Sequence, residues 1–284
     1  MEITVAFHGG AGTVTGANFL LSDGTTNVLV DCGLTQDKNF CDTCNYDDFA
    51  YDPKSINALI LTHAHLDHIG RAPKLVKDGF SGPVYCTPPT EDLLAVMLED
   101  SEDILRREAE REKLPPMYEG EHVKALLQQV VTHGYHETFS VGDFTFEFFN
   151  AGHILGSAIT RVTHKHTDKV YVFTGDLGNS PSPLLPDIEP VTDANYLIME
   201  SVYGDRQHEH IEDREDRLEE IIKNAMARGG TLMIPAFSME RTQIMLYNIS
   251  NMMEIGEIPK VPVYLDSPLA IKVTNIYKKY SEYL

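Results

Sequence analysis

The six residues HAHLDH put three imidazoles and a carboxylate (His63, His65, Asp67 and His68) directly behind the apolar run INALILT. Neutral imidazole and carboxylate are the groups that hold Zn2+ or a similar divalent ion at about 2.0–2.2 Å. The apolar run reads as a buried strand ending at Thr62, with the next helix beginning near Ile69, so the four groups fall in a turn where alternate residues can converge. A lone histidine in an exposed turn says nothing; three with an aspartate in six positions read as a metal site. Two later strand ends offer more of the same chemistry: NAGHILGS sets His153 between glycines, where backbone can approach closely, and VFTGDLGN does so for Asp176. Each alone reads equally as turn residue or ligand, but with the 63–68 cluster they complete a set for two ions. IMESVYGD ends a further apolar run on Glu200, a potentially reactive strand-end carboxylate whose plain alternative is a solvated one.

The elements that position these groups alternate apolar runs with polar turns. ITVAF, NFLLS and TNVLV predict an antiparallel meander, followed by a long polar loop over 32–55. IGRAPKLVKDGF predicts a helix stopped by Gly79, and GPVYCT a strand. Leu94, Leu98, Ile104 and Leu105 give 91–113 a helical stripe, with a second helix near 121–129. DFTFEFFNAGH, SAITRVTH, KVYVFTGD and ANYLIMES repeat one theme, an apolar strand whose end is polar. Beyond Tyr203 the rhythm changes: a helix at about 211–228, the strand GGTLMIPAF, a helix at about 239–252, the strand VPVYLDS and a final helical run, a βαβ pattern predicting a parallel sheet. The fold class is α/β, with chemistry at strand ends.

Composition narrows the partners. With 43 acidic against 23 basic residues and a formal charge of −20, the chain has no broad basic face, so a nucleic acid must be held by a local cleft and by bound metal. The acidic stretches 91–113 and 205–220 read as solvated helix faces. No apolar stretch approaches the roughly 20 residues that span a bilayer, and MEITVAFHGG lacks the basic start and apolar centre of a signal peptide, so no membrane contact and a cytoplasmic location are expected. Four cysteines suit a reducing compartment. Cys41 and Cys44 form a CxxC without the second pair that a zinc knuckle needs. The glycines of HGGAGTVTG (8–16) have the wrong spacing for a dinucleotide turn and no following Gly-Lys-Ser/Thr; a turn bordering the site is expected instead. His133, His136, His164, His166, His208 and His210 read as unpartnered surface residues, and Arg241 as either a phosphate contact or the partner of an acid.

Together HAHLDH (63–68), GH (152–153) and GD (175–176) resemble the metallo-β-lactamase superfamily. Over about residues 1–203 the resemblance implies an αββα sandwich with two metals at the edge between its sheets. By position, it implies that His63, His65 and His153 hold one ion, that Asp67 and His68 hold the other, and that Asp176 bridges both. Asp31, in LVDCG, matches the aspartate that the family places beside the metals, where it fixes a ligand imidazole. IMESVYGDR, GGTLMIPAFSMERTQ and YLDSPLA are similar to the β-CASP branch, the RNA- and DNA-cleaving members that insert a cap domain, and within it to the RNA-processing group of the pre-mRNA 3′-end cleavage nuclease and its bacterial and archaeal relatives.

The resemblance thus implies a core over 1–207, without its closing segment, and the N-terminal part of a cap over 208–284. The implied activity is hydrolysis of phosphodiester bonds in RNA, with single-stranded RNA as partner, by hydroxide activated between two divalent ions, Zn2+ or alternatively Mn2+. Asp67 and Asp176 would orient that hydroxide, and Glu200, the branch's first acidic motif, would support a proton-donating histidine. The branch's two later histidine motifs are absent from 1–284, so the sequence reads as a fragment whose competence alone is open. The alternative is a small-molecule hydrolase of the same core, acting on a thioester, lactone or lactam, which would not need the βαβ segment. A third class, an inactive RNA-binding or scaffold subunit, would be expected to have lost ligands. Endonuclease against 5′ exonuclease action, and oligomeric state, are left open.

Overall fold

In the computed structural model, residues 2–36, 44–206 and 211–284 are described, the first three of the last segment by backbone alone. The opening meander forms as its alternation predicts: β1 (Thr4–Gly9), β2 (Asn18–Ser22) and β3 (Asn27–Val30) pair antiparallel. The sheet then continues in parallel through β4 (Ala58–Ile60), β5 (Val84–Cys86) and β6 (Val130–Thr132), in sequential order. A second sheet has the order β11-β10-β9-β8-β7, from β7 (Thr138–Val141), β8 (Phe144–Asn150), β9 (Ala158–His164), β10 (Val170–Phe173) and β11 (Tyr196–Ile198). All its pairs are antiparallel except β10 with β11.

The two sheets pack face to face. Because side chains alternate along a strand, Val28, Val30, Ala58 and Ile60 point to the second sheet and meet Phe144, Phe146 and Phe148 of β8. Leu29 and Leu59 point the other way, toward α1 (Leu66–Ile69), α2 (Ala72–Lys77), α3 (Pro88–Glu112) and α4 (Gly120–Gln128). Burial on both faces is why β3 and β4 read as continuous apolar runs instead of alternating ones. On the outer face of the second sheet, Ile159, Val170 and Val172 are covered by Leu177, Ile188, Val191 and Ala194 of an irregular segment. The result is a mixed α/β sandwich of two sheets.

Three expectations need correction. The 63–68 cluster is not wholly a turn: α1 begins at Leu66, so Asp67 and His68 sit in its first turn with His65 as extended N-cap. His65 makes no capping hydrogen bond, which left the helix start without its usual signal. The runs GGTLMIPAF and VPVYLDS are not strands, and among the described residues no parallel sheet joins them; Met233, Phe237 and Tyr264 stand exposed. A strand exists only with a ladder partner, and neither run has one among the described residues. Finally, His164 is no surface residue. It ends β9 fully buried, its Nε2 facing Asp23 Oδ2 at 3.7 Å. His136 and His166 are exposed as read, but each meets a carboxylate, Glu189 at 3.2 Å and Asp143 at 3.1 Å. His133 stacks on Phe139 with centroids 4.3 Å apart. His208, His210 and Cys41 lie outside the described residues.

The C-terminal part is helical: α5 (Ile211–Ala227), α6 (Arg241–Ile255) and α7 (Pro268–Lys279). Helices α5 and α6 share a small core of Ile222, Ile249 and Met252, while Val273 and Tyr277 of α7 join the main helical core. Glu240, at the start of α6, is half-buried and accepts a 2.5 Å hydrogen bond from Tyr277 Oη, leaving Oε1 without a partner among the described residues. Burial pushes its carboxyl up from the ordinary 4.5 to about 7, against the opposing effects of Tyr277 and Arg241. Between those pH values the folded chain binds more protons here than the unfolded one, so this contribution is complete below about 4.5 and lost as pH rises to about 7. A Glu240→Gln variant, neutral throughout, is therefore expected to gain melting temperature relative to the parent from pH 4.5 to 7 and to hold that gain above it, as thermal unfolding at stepped pH would show.

Candidate metal centre

Each chemically active residue follows the C-terminal end of a strand. Asp31 follows β3, His63 follows β4, His153 follows β8, Asp176 follows β10 and Glu200 follows β11. The register runs β3 parallel to β4, and β8 in the same sense as β10 and β11, so these ends gather at one edge of the sandwich. Four donor atoms meet there first. His65 Nδ1 lies 3.0 Å from His63 Nε2 and 3.1 Å from His153 Nε2, and Asp176 Oδ2 lies 3.8 and 3.6 Å from the same two nitrogens. A tetrahedral ion with arms of about 2.05 Å needs donor separations of about 3.3 Å; the four atoms fit. Beside them Asp176 turns Oδ1 to His68 Nε2 at 3.2 Å, with Asp67 Oδ2 4.0 Å from that nitrogen. The donors thus form two clusters, His63–His65–His153–Asp176 and Asp67–His68–Asp176, sharing one carboxylate.

Protonation matches that division. Burial, and then the neighbouring rings, hold His63 well below its ordinary pKa and bring His65 to about 3; burial lowers His153 too, with Asp176 opposing. Three neutral rings therefore present lone pairs at one point, the state that ligation requires. Burial likewise acts against charge on His68, but the Asp31 and Asp176 carboxylates outweigh it and raise this ring well above the ordinary value. Burial would raise Asp176, yet His68 and His153 bring it to about 2, while burial leaves Asp67 raised. In the second cluster a proton on His68 occupies the direction that a cation would take.

Asp31 holds two rings. Fully buried, it receives Thr62 N on Oδ1 at 2.9 Å and Thr62 Oγ1 on Oδ2 at 2.8 Å, and its Oδ2 lies 2.7 Å from His68 Nδ1. Thr62 Oγ1 is also 3.1 Å from His63 Nδ1. Hydrogen bonds to Nδ1 leave Nε2 of both rings to face the centre. Thr62, which sequence reading passed over, is flagged only by its place before His63. The helix carrying Asp67 and His68 is fixed through its backbone: the Asp67 carbonyl accepts Ala17 N at 2.9 Å and the His68 carbonyl accepts Cys32 N at 2.7 Å. The glycine-rich 8–16 segment leads straight into Ala17, and so borders the site.

Two glycines permit these approaches. A Cβ on Gly33 would lie 1.6 Å from the Asp67 carbonyl oxygen, and one on Gly178 would lie 1.7 Å from that of Gly152, beside His153. Both obstacles are backbone. Gly33→Ala is expected to cost more than about 3 kcal/mol of stability, measurable by urea unfolding, whereas Gly12→Ala, with open space around it and only the strain of φ +73°, is expected to cost about 1 kcal/mol.

Glu200 belongs to neither donor cluster among the described residues. Its Oε1 accepts Leu177 N at 3.1 Å and its Oε2 accepts Val202 N at 3.2 Å, which pins the backbone just after Asp176. Arg241 stands exposed in the first turn of α6. No cysteine contributes to either cluster among the described residues.

A family model of the metallo-beta-lactamase superfamily matches residues 11–207. The chain belongs to this superfamily. A second model, the Beta-Casp domain, matches residues 242–284, which contain α6 from Thr242 onward and all of α7. Among curated relatives of this superfamily chain, Ribonuclease TTHA0252 of Thermus thermophilus is 36% identical over 275 residues, covering 97% of this chain and 61% of the relative. The transcription termination factor FttA of Methanosarcina mazei is 36% identical over 294 residues, covering 99% of this chain and 44% of the relative. The chain therefore spans about two-fifths to three-fifths of the length of these proteins. A solved structure of a protein of unknown function from Enterococcus faecalis V583 shares the fold, with TM-score 0.56 and 17% identity over 98% of this chain and 68% of its own. Superfamily membership and the His/Asp clusters together support binding of divalent metal. No helix among the described residues is long and apolar enough to cross a membrane.

Proposed function

We propose that this chain is the metal-binding part of a ribonuclease that hydrolyses phosphodiester bonds in single-stranded RNA, working in the cytoplasm. The observation that carries the reading is the shared carboxylate of Asp176, with one oxygen in a three-histidine cluster and the other against His68. The Beta-Casp match supports RNA over a small molecule as substrate, and so do relatives named as a ribonuclease and as a transcription termination factor. Residues 1–207 would form the metal-bearing core and 208–284 the beginning of a cap.

His63, His65, His153 and Asp176 would hold one divalent ion, and Asp67, His68 and Asp176 the other, zinc being favoured by the three imidazoles and manganese remaining compatible. When bound, such a pair supplies Lewis acidity toward a phosphoryl oxygen and makes water acidic enough to serve as nucleophile near neutral pH. The chain's own part is positional. Asp176 fixes the spacing of the two clusters, and the free lone pairs of Asp67 and Asp176 orient the attacking water. Asp31 keeps the Nε2 atoms of His63 and His68 aimed inward. Glu200 uses one lone pair on each oxygen for an amide and retains another for a group that protonates the leaving ribose oxygen.

The test is to incubate the protein with labelled RNA oligomers and, separately, with a thioester, each with and without chelator. RNA cleavage abolished by chelator is expected. Turnover of the thioester alone would reject the nuclease in favour of a small-molecule hydrolase.

A further inference from the structure

The His153 loop, which joins β8 to β9, is held at nearly every backbone group. Ser157 Oγ accepts His153 N at 3.0 Å and Ile154 N at 3.2 Å. The Gly156 carbonyl accepts from Thr87 and Thr90 at 2.6 and 3.0 Å, the Ser157 carbonyl from Tyr135 at 2.9 Å, and the Ala151 carbonyl from Gly178 N at 2.9 Å. All these partners lie within the stretch that matches the superfamily. One does not. Leu155 N, two residues past His153, donates to Tyr277 Oη at 3.3 Å, across 122 positions of chain.

Tyr277 is 3% exposed and packs with Ile154 and Leu155 in the helical core, and among the described residues its hydroxyl is the acceptor of that buried amide. The same hydroxyl donates to Glu240 Oε2 at 2.5 Å. A continuous line of hydrogen bonds thus runs from the start of α6, through α7, to the loop that carries a metal-cluster histidine. The next tyrosine, at the C-terminal cap of α7, has a different anchor. Tyr280 Oη donates to the Pro88 carbonyl at 3.2 Å, and Lys279 pairs with Asp92 at 2.5 Å, both contacts with α3 and neither with the His153 loop itself.

We propose that Tyr277 is a positioning residue: held by Glu240, its hydroxyl carries the placement of α6 and α7 to Leu155 and so sets how tightly the His63–His65–His153–Asp176 cluster binds its ion. The Asp67–His68–Asp176 cluster is fixed instead by Asp31, Ala17 and Cys32 and does not depend on this line. The segment matched to the Beta-Casp domain would then act on the metal centre as well as lie beside it. The inference rests on the reading of those four residues as ligands.

The experiment compares Tyr277→Phe, which keeps the ring and removes the hydroxyl, with Tyr280→Phe, which loosens the same helix at its other anchor. Both are made in the intact protein. Two quantities are read: hydrogen exchange of the 151–157 backbone in metal-free protein, and zinc titration against a competing chelator. Y277F is expected to speed exchange across 151–157 and to weaken one of two zinc ions by about 10–100-fold, the usual effect of removing a group that orients a ligand, with the second ion unchanged. Y280F is expected to alter neither. Equal weakening of both ions, an equal effect of Y280F, or unchanged exchange and affinity in Y277F would overturn the proposal. If Y277F does not fold, Glu240→Leu, which leaves the ring and frees the hydroxyl, is read by the same two measures with the same outcomes. Parent protein that binds no zinc would reject the ligand reading, while the exchange comparison would still report on the tether.

Discussion

Replacing Asp176 with alanine is expected to abolish binding of both ions and to reduce RNA cleavage by about a thousandfold or more. The carboxylate is the one group common to both clusters, 3.6 and 3.8 Å from two nitrogens of the first and 3.2 Å from His68 in the second. Removing it strips charge from two sites at once, and metal ions in such centres supply several kcal/mol of charge stabilisation, each 1.36 kcal/mol being tenfold in rate. The fold should persist, because the Asp176 side chain is about a quarter exposed and does not enter the packed core. His153→Ala, by contrast, is expected to lose one ion and keep the other. Elemental analysis of desalted protein, with cleavage rates of the same samples, separates the two variants. An Asp176→Ala protein that retains one tightly held ion would show that the carboxylate does not bridge.

Asp31→Asn should have the next largest effect, and by a different route. The substitution preserves shape, and asparagine accepts the left-handed backbone that Asp31 adopts at φ 59°. It removes the charge opposite His68, whose Nδ1 lies 2.7 Å away in a site with almost no solvent. Breaking such a buried pair is expected to cost about 2–4 kcal/mol. Affinity for the ion of the Asp67–His68–Asp176 cluster should fall by about 10–100-fold, since an orienting partner is lost. Denaturant unfolding of metal-free protein and zinc titration measure the two effects separately. Unchanged stability would mean that His68 is held by Asp176 and the backbone of α1 alone.

The residues with chemistry were legible because each stands at the end of an apolar run, and strand ends on one side of an α/β sandwich converge whatever their order in the chain. His63, His65, His153 and Asp176 span over a hundred positions yet needed only that rule to be read together. What the rule could not supply were contacts that leave no local pattern. Nothing in LTHAH marks Thr62 as the link between Asp31 and His63. Nothing near Leu155 points to Tyr277. Nothing around Gly33 or Gly178 in the sequence shows that a carbonyl oxygen of another segment lies where a Cβ would stand. The short β6 and β7 escaped reading for a related cause, since three or four residues of moderate β-propensity become strands only through their neighbours. GGTLMIPAF and VPVYLDS show the converse, strand-like composition with no ladder partner among the described residues. His164 was misjudged because its flanks, Thr163 and Lys165, are polar, whereas its burial comes from the β2–β3 turn that brings Asp23 against it.

The central claim is that two ions share Asp176, and diffraction at the zinc absorption edge from crystals of zinc-loaded protein tests it most directly. Two anomalous peaks per chain are predicted, one about 2.0–2.2 Å from donor atoms of His63, His65, His153 and Asp176, the other at similar distance from Asp67, His68 and the second oxygen of Asp176. A single peak not shared by the two clusters, or none at this edge of the sandwich, would contradict the account.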